Sequence, residues 1–338
     1  MTRSILIVWN GPPNGTSANL FQVLGNFLAE RFDVYESSNS VVEGGPTAKF
    51  ANFIKCNVQR IGKLLRSDIL VVHSYSALSL PTMVLARGLN RKVIVMHWDV
   101  YPTSIDGKRL RGGFRRVVDW IEWIATRLAT TVVVPTDDFR PFVHHRNIVV
   151  IPLWPSTPNI PPDTCIAQRE PEESIRIAFT GQDGPTRGLA DAFETLAEHG
   201  DTQFEVHIFG SSSSISDRYK PAPNMRLIDR GKLDRGRLLS ELRSMDFGLI
   251  SLNPRLDQPG FPSKVFDYVA ADLPVIYFGR PLSAFVALLE RTGVGMKLGQ
   301  QPLDWVMLRK EFRARWACAK PAFEAETRLE WSKVEKIL

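Results

Sequence analysis

Short apolar runs alternate with longer segments of helical periodicity from one end of the chain to the other. Runs of this length, rich in Val, Ile, Leu and Phe, are typical of parallel strands that are covered on both faces. The alternation therefore predicts an α/β fold built on parallel sheets. The runs predict twelve strands, at residues 5–9, 33–35, 69–73, 92–98, 131–135, 148–152, 175–179, 204–209, 225–228, 247–252, 275–278 and 294–298.

Between the predicted strands, apolar residues recur at the spacing of one helix face. In the segment 16–30 these are Leu20, Val23, Leu24 and Phe27, and the segment 49–66 repeats the pattern. Further helices are predicted at residues 187–199, 234–244, 262–271, 281–291 and 304–338, the last of them broken near Pro321.

A proline-rich stretch divides the chain into two parts of similar size. Six prolines stand between Pro152 and Pro171 without apolar periodicity, as is typical of a connection between domains. We expect Rossmann-like domains at residues 1–155 and 156–320, and a final helix at residues 321–338 that returns to the first domain. Open parallel sheets bind ligands at the carboxyl ends of their strands, so the loops there should carry the chemistry.

Composition narrows the class of protein. The chain has 338 residues, of which 44% are hydrophobic and 23% charged, values close to those of globular domains. No apolar run approaches the ~18–20 residues of a membrane span, and the short apolar segment after Met1 does not resemble a signal peptide. The three cysteines are far apart and form no C-x-x-C pair. These features favour a cytoplasmic protein without disulfides.

Positive charge is concentrated in the first half of the chain. Residues 1–155 contain 18 Lys and Arg against 11 Asp and Glu, whereas residues 156–338 contain 24 against 25. This asymmetry indicates an anionic partner for the first half, such as nucleic acid, anionic lipid or a phosphorylated substrate. No standard nucleic-acid-binding motif is present, so we expect no nucleic-acid partner.

The segment 253–276 combines a Pro/Gly-rich loop with a helix that is predicted to begin at Pro262. Backbone N–H groups at a helix start attract anions, and Lys264 would add a positive charge. Ser263 and Asp267 share one helix face, where the Asp267 carboxylate could accept two ribose hydroxyls. An ordinary Lys–Asp surface pair on a core helix explains the same spacing equally simply.

This segment resembles a known signature. Residues 261–276 are similar to the donor-binding motif P-S-K-x-x-E-Y-x-A-x-G-x-P-V-I of GT-B glycosyltransferases, in particular the retaining family 4 (glycosyl transferases group 1) of bacterial surface polysaccharide biosynthesis. Asp267 stands at the motif's ribose-binding Glu, and Asp272 at its Gly. The group's earlier Glu would fall on Pro259, so the full E-x7-E pattern is missing.

A second segment agrees with the resemblance. Residues 177–188 are similar to the family's strand and G-R-x4-K-G turn, in which Arg and Lys hold the donor diphosphate. Gln182 replaces that Arg, and Arg187 replaces that Lys. The resemblance therefore implies a donor site formed by Gly181, Gln182, Arg187, Ser263, Lys264 and Asp267.

The first half is expected to supply the acceptor side of the crevice. The resemblance places Gly11, Asn14, Gly15 and Thr16 in an acceptor loop, and His73 follows another predicted strand. His97, also at a strand end, is a candidate for contact with the donor sugar, and a structural histidine is the alternative. Asp99 would be the general base of an inverting transfer, or alternatively a loop-capping residue. These two, with Arg187 and Lys264, are the candidate catalytic residues.

The resemblance implies a metal-independent glycosyltransferase of the GT-B fold. It would use a nucleotide-diphosphate sugar as substrate, without a cofactor, and a lipid-linked or polysaccharide acceptor. The basic region 108–127, which predicts a loop followed by an amphipathic helix with Trp120 and Trp123, suggests peripheral attachment to an anionic membrane surface, and packing of those tryptophans on the sheet is the alternative. Two other functions stay open: a nucleotide-sugar 2-epimerase of the same fold, and a catalytically degenerate partner subunit.

Overall fold

The protein contains two parallel sheets of six strands each, joined in tandem. The computed structural model describes residues 3–10, 16–39, 46–73, 79–98, 104–105, 108–109, 112–155, 174–210, 218–256, 258–299 and 301–338. Most of the predicted linker lies outside this part of the chain, and the expected domain limit at residue 155 lies at its border. The domain limits therefore stay predictions.

The first sheet has the strand order β2-β1-β3-β4-β5-β6, and all its pairs are parallel. Ile5 and Ile7 of its first strand face one core, while Leu6 and Val8 face another, which explains the unbroken apolar run. The strands are β1 (Ser4–Asn10), β2 (Asp33–Asn39), β3 (Ile69–His73), β4 (Lys92–Met96), β5 (Thr131–Val134) and β6 (Ile148–Val150).

The second sheet has the order β9-β8-β7-β10-β11-β12, again with all pairs parallel. This is the strand order of dinucleotide-binding folds, with its topological switch point between β7 and β10. The strands are β7 (Ser174–Thr180), β8 (Gln203–Phe209), β9 (Met225–Gly231), β10 (Phe247–Ser251), β11 (Val275–Phe278) and β12 (Gly295–Lys297). All twelve predicted strands are thus confirmed, with limits that differ by at most a few residues.

Helices connect the strands and cover both sheets. Asp234 and Asp304 cap two of them, each accepting a hydrogen bond from a backbone N–H three residues later. The helices are α1 (Thr16–Ala29), α2 (Pro46–Leu65), α3 (Leu80–Gly88), α4 (Gly112–Leu128), α5 (Leu189–Ala197), α6 (Arg235–Leu242), α7 (Lys264–Ala270), α8 (Ser283–Thr292), α9 (Trp305–Thr327) and α10 (Trp331–Val334). The predicted helices correspond to these, whereas α3 was not predicted, and neither was the short hairpin of Ser104–Ile105 and Lys108–Arg109.

One hydrophobic core contains buried residues of both halves. It includes Phe21 on α1 and Trp98 after β4, together with Val265 and Phe285 from the second half. Across the boundary, the Asp138 carboxylate accepts a hydrogen bond from the Ala284 N–H at the start of α8, at 3.0 Å. Helices α2, α3 and α4 cover the opposite face of the first sheet.

The C-terminal segment differs from the expectation. α9 continues through Pro321, and the helical conformation ends at Thr327, so the predicted break at Pro321 and a separate helix from residue 321 are wrong. Proline removes one backbone N–H, but Ala319 and Phe323 on either side are buried and hold the helix in place. α10 then packs on the first half, where the Trp331 ring stacks on Phe27 at 4.5 Å between centroids.

Candidate functional site

A cavity of about 280 Å³ lies between the two sheets, at the carboxyl ends of their strands. It is bordered by both topological switch points: His73 ends β3 in the first sheet, while Thr180 and Ser251 end β7 and β10 in the second. Switch points are the sites at which open α/β sheets bind ligands. The lining residues are Leu20, His73, Trp98, Leu153, Phe179, Thr180, Arg187, Leu249, Ile250, Ser251, Phe261, Pro262, Ser263 and Lys264.

Arg187 is held in the loop between β7 and α5. The Ser251 hydroxyl donates a hydrogen bond to the Arg187 carbonyl at 2.6 Å, and the Asn253 N–H donates to the Thr186 carbonyl at 2.9 Å. Gly188 has φ +61°, and a Cβ atom there would lie 2.8 Å from the Asn253 Cα. Glycine is therefore required where the two loops of the switch point touch.

Lys264 begins α7 and lies beside a buried carboxylate. Its Nζ is 3.4 Å from Oδ2 of Asp267, whose Oδ1 accepts a hydrogen bond from Arg235 Nη2 at 2.9 Å. Asp267 does not itself line the cavity. The carboxylate thus contacts two cations from different elements, Lys264 on α7 and Arg235 on α6. Arg235 lies far from this motif along the chain, so no local sequence pattern signals its role.

A buried tyrosine fixes α7 against the second sheet. The Tyr268 hydroxyl accepts a hydrogen bond from the Thr180 N–H at 3.0 Å and lies 3.0 Å from the Leu249 carbonyl. Burial raises the pKa of Tyr268 well above its usual value, so the hydroxyl keeps its proton. Gly248 allows the close contact, because a Cβ there would lie 2.5 Å from the tyrosine ring.

The wall from the first half is aromatic and contains a buried imidazole. The His73 ring lies 5.4 Å from the Trp98 ring and 5.5 Å from the Phe21 ring, between centroids. Neither ring nitrogen of His73 has a hydrogen-bond partner within the residues that the structure describes. Burial lowers the pKa of His73 to about 4, so the imidazole is neutral at pH 7.

His97 is not in the cavity, and the expectation that it faces the crevice is wrong. It is buried against α4, with Nε2 3.2 Å from Oε1 of Glu122. Side chains alternate along the extended segment after β4, so Trp98 occupies the cavity wall and His97 the opposite face. Burial lowers the pKa of His97 to about 4 and raises that of Glu122 to about 7.

The other predicted site residues have varied positions. Gly11, Asn14, Gly15 and Asp99 lie outside the described residues, and Thr16 is the first residue of α1. Gly181 has φ +137° at the end of β7, and Gln182 follows it at the surface, yet neither lines the cavity. The structure therefore brings together Arg187, Ser263, Lys264 and His73, with Asp267 directly behind Lys264.

Asp272, which departs from the resembling motif, ends α7 in a left-handed conformation with φ +58°. The N–H groups of Asp272 and Leu273 bond back to the carbonyls of Val269 and Tyr268. This is the helix-ending arrangement that usually requires glycine, which accounts for the Gly of the motif. Here the carboxylate is bound by Lys320 Nζ at 2.6 Å and by Trp316 Nε1 at 3.1 Å.

In the part of the chain that is described, no group of three or more His, Cys, Asp and Glu side chains could hold a metal ion. Among the helices of the same part, none has both the length and the apolar character to cross a membrane.

Comparison with known proteins gives similarity of structure alone. No protein-family model matches the chain, and no curated protein matches it. An E. coli trehalose-6-phosphate protein bound to UDP-2-fluoroglucose is 14% identical and superposes with a TM-score of 0.57, covering 98% of this chain and 96% of its own. A glycosyltransferase from Rickettsia africae is 13% identical, with a TM-score of 0.54 and coverages of 100% and 95%.

A protein from Listeria monocytogenes described as a UDP-N-acetylglucosamine 2-epimerase has 10% identity and a TM-score of 0.51, and 100% of this chain and 94% of that chain are covered. These values lie far below the identity at which function transfers, but the alignments include nearly the whole of each chain. Two parallel six-stranded sheets that face each other across a cavity, together with these alignments, show that the chain has the GT-B fold.

Proposed function

We propose that the protein is a glycosyltransferase whose donor is a nucleotide-diphosphate sugar. The observation that carries the proposal is the joint presence of Arg187 and Lys264 in the lining of one cavity at the switch point of the second sheet. A diphosphate group has the charge that these two cations would complement. The UDP-2-fluoroglucose bound to the similar E. coli structure supports a ligand of this class.

In the proposed reaction, the glycosidic bond to the diphosphate breaks and negative charge develops on the leaving group. Arg187 can bind phosphate oxygens in a bidentate manner, and Lys264 adds a point charge. Cations that are already oriented stabilise such charge more in the transition state than in the ground state. The hydrogen bonds that fix the Arg187 backbone, and the Asp267 carboxylate beside Lys264, provide this orientation.

We propose that Asp267 also binds the ribose, as the resemblance implies. Its two oxygens contact Arg235 and Lys264 in this structure, so ribose binding would require a shift of at least one of these cations toward the phosphates. Asp267→Asn keeps the size of the side chain and removes its charge. It should therefore weaken nucleotide binding both directly and by loosening Lys264.

The acceptor would occupy the wall of the first half, near His73 and Trp98. The excess of basic residues in the first half supports an acceptor that carries phosphate, such as a lipid-linked sugar. The resemblance implies retention of configuration, in which the leaving phosphate takes the acceptor proton and no protein base is needed. If the transfer inverts instead, Asp99 is the base candidate from the sequence, and the neutral His73, which lines the cavity, is a second one.

The test is calorimetric titration of the protein with UDP and with GDP. We expect one of them to bind, and we expect Arg187→Ala and Lys264→Ala to weaken that binding by about tenfold or more, since each removes a charge-assisted contact. Lys310→Ala, which removes an exposed cation on α9, is the control and should bind like the wild type. With the sugar donor identified, the two site variants should lose roughly 10²–10³ in turnover.

Failure of both nucleotides to bind would favour the degenerate partner subunit and contradict the donor site. A 2-epimerase is the second candidate, and the similarity to the Listeria monocytogenes structure favours it. It is distinguished by incubating the protein with a nucleotide sugar and no acceptor. An epimerase converts the sugar while it stays attached to the nucleotide, whereas a transferase leaves the sugar unchanged.

A further inference from the structure

Exposed apolar side chains are concentrated on one face of the first half. Of the twelve large hydrophobic residues that are exposed in the described part of the chain, nine lie on α2 and α4 or on α3 and its C-terminal end. The three helices are neighbours, with α3 between the other two, on the side of the first sheet that faces away from the second half. These nine residues, here called the three-helix surface, are Ile54, Val58, Ile61, Leu65, Val84, Leu89, Val117, Trp120 and Trp123.

The part on α2 is a regular stripe. Ile54, Val58, Ile61 and Leu65 recur at intervals of four, three and four residues, which places them on one side of the helix. Val58 is 60% exposed. The stripe is not the core face of α2, because the buried Leu64 packs into the sheet core on another side of the helix. α2 therefore presents apolar residues both to the core and to the outside.

The part on α4 is aromatic. Val117 and Trp120 lie one turn apart, and Trp120 is 59% exposed. The guanidinium group of Arg127 lies 4.4 Å from the centre of the Trp123 ring. Exposed tryptophans beside arginines are typical of the boundary between water and lipid headgroups, where one end of the indole is apolar and the other polar.

Positive charge surrounds the apolar residues. α2 and α3 contain no Asp or Glu. On α4, Asp119 lies 3.6 Å from Arg115, and Glu122 is directed inward to His97. The exposed basic side chains on these helices and directly after α2 are Lys55, Lys63, Arg66, Arg87, Arg115, Arg116 and Arg127.

We propose that the three-helix surface docks on an anionic lipid bilayer. Its apolar stripe would enter the headgroup region while the basic residues contact lipid phosphates, as interfacial amphipathic helices do. Charge complementarity favours lipid over a second copy of the chain, because a symmetric contact would bring the same basic residues against each other.

The surface extends the region expected from the sequence. Of residues 108–127, only α4 contributes, whereas most of the apolar residues lie on α2 and α3, which composition had not pointed to. Each of α2 and α3 begins shortly after the carboxyl end of a strand, at the edge of the sheet that borders the cavity. The exposed apolar residues of these two helices lie from the middle of each helix to its C-terminal end, toward the opposite edge of the sheet.

The experiment is sedimentation with vesicles of pure phosphatidylcholine and of phosphatidylcholine mixed with phosphatidylglycerol, without any nucleotide. We expect the protein to bind only the vesicles that contain phosphatidylglycerol, and we expect salt to weaken that binding. Val58→Glu and Trp120→Glu should each lower the partition coefficient between vesicles and water about tenfold. The bound fraction at a given lipid concentration should fall accordingly. Val306→Glu and Met307→Glu replace exposed apolar residues of α9 and should bind like the wild type.

Circular dichroism and thermal unfolding of each variant check that the exposed substitutions leave the fold intact. The proposal is overturned if the anionic vesicles bind no wild-type protein, or if the α9 variants lose as much binding as the α2 and α4 variants. It is also overturned if light scattering detects a dimer that Val58→Glu abolishes while vesicle binding persists, since the surface then belongs to a second copy. Because no nucleotide is present, failure here leaves the proposed donor site untouched.

Discussion

At the end of α7, Asp272 combines a left-handed backbone with a carboxylate that binds Lys320 and Trp316. Glycine adopts this left-handed backbone without cost, whereas other residues are destabilised there by about 1 kcal/mol or more. Asp and Asn tolerate the conformation best among them. The departure from the resembling motif is therefore compensated locally. It gives no support to the idea of a degenerate site.

This compensation predicts different costs for two substitutions of Asp272. Asp272→Gly removes the carboxylate contacts and relieves the backbone, so it should lower the free energy of unfolding by about 1 kcal/mol. Asp272→Ala removes the same contacts and keeps the strain, so it should cost about 1 kcal/mol more than Asp272→Gly. Urea unfolding of both variants and the wild type measures the difference. Equal stability of the Gly and Ala variants would contradict the backbone argument.

His73 predicts a pH dependence of stability. Its pKa is about 4 in the folded protein and near 6.5 in an unfolded chain, because burial disfavours the imidazolium. As the pH falls below 6.5 the unfolded chain takes up a proton that the folded chain does not, so stability decreases. His73→Phe keeps an aromatic ring and removes the titration.

Between about pH 7.5 and 5, the wild type should lose roughly 2 kcal/mol more unfolding free energy than His73→Phe. His97 and Glu122 titrate in both proteins, so their contributions to the pH dependence are subtracted when the two proteins are compared. Urea unfolding at a series of pH values provides the measurement. A parallel loss in the two proteins would show that His73 is protonated as readily when folded as when unfolded.

At the scale of single residues, the sequence predicts which strand or loop carries a side chain better than it predicts the face of the sheet toward which that side chain points. Arg187 and Lys264 follow strands of the second sheet, and both line the cavity. His97 follows a strand too, but the alternation of side chains points it at Glu122 and gives its place to Trp98. A shift of one residue reverses the face, and a strand end alone does not fix that register.

Among the elements, α7 packs on the second sheet and is also hydrogen-bonded to it through the Tyr268 side chain. The Tyr268 hydroxyl contacts Thr180 at the end of β7 and Leu249 in β10, the two strands of the switch point. The start of α7, with Ser263 and Lys264, is thereby held at a fixed height above the ends of the strands. The position of Lys264 therefore depends on a buried hydroxyl that does not line the cavity.

Tyr268→Phe should reduce the free energy of unfolding by about 1–3 kcal/mol, because the Thr180 N–H and the strand carbonyls lose a buried partner. Tyr277→Phe removes one hydrogen bond, to the Arg280 carbonyl, and should cost less. Chemical unfolding compares the two variants. A loss for Tyr268→Phe no larger than that for Tyr277→Phe would mean that the hydroxyl has little part in holding α7.

Element types were predictable where the hydrophobic pattern is strong. Most strands of the two sheets show as apolar runs, because both of their faces are buried, whereas the edge strands β2 and β9 contain polar residues that are half-buried or exposed. α3 was missed because it is short and begins with Leu80 and Pro81, which resemble a turn. Pro321 predicts a break in the helix, but burial of its neighbours in the core maintains the helix, and local propensity does not reveal that burial.

For the whole molecule, α10 connects the C-terminal end of the chain to the first half. Trp331 stacks on Phe27, and the Arg31 guanidinium lies 4.1 Å from the centre of its ring. Val334 and Ile337 are buried in the core that both halves share. The Arg31–Glu335 ion pair is exposed and adds little, so the contact depends on apolar packing.

Trp331→Ala should lower the free energy of unfolding by about 2–4 kcal/mol, as expected for an aromatic side chain removed from a packed contact. Trp123→Ala removes a tryptophan that is 46% exposed and should cost less than about 1 kcal/mol. Urea unfolding in the absence of lipid gives both values. If the two variants are equally stable, α10 does not contribute to the joining of the two halves.

Contacts between residues that are far apart along the chain are the least predictable from the sequence. The pairing of Arg235 with Asp267 joins residues that are 32 positions apart on different helices, and no local pattern signals it. The two-sheet architecture and the loops that form the cavity followed from the order of strands and prolines. Which cations surround the predicted carboxylate depends on how α6 and α7 pack.

The core shared by the two halves restricts how such a chain can evolve. Trp154 donates a hydrogen bond from its indole N–H to the Leu20 carbonyl, and Leu153 and Phe261 line the same cavity from opposite halves. Exchange of one half for that of a similar protein would place a foreign surface against these side chains. Recombination that keeps the sheets intact should therefore yield stably folded hybrids only when the matching wall is transplanted with them, so the cavity is altered more readily by changes in its loops than by exchange of halves.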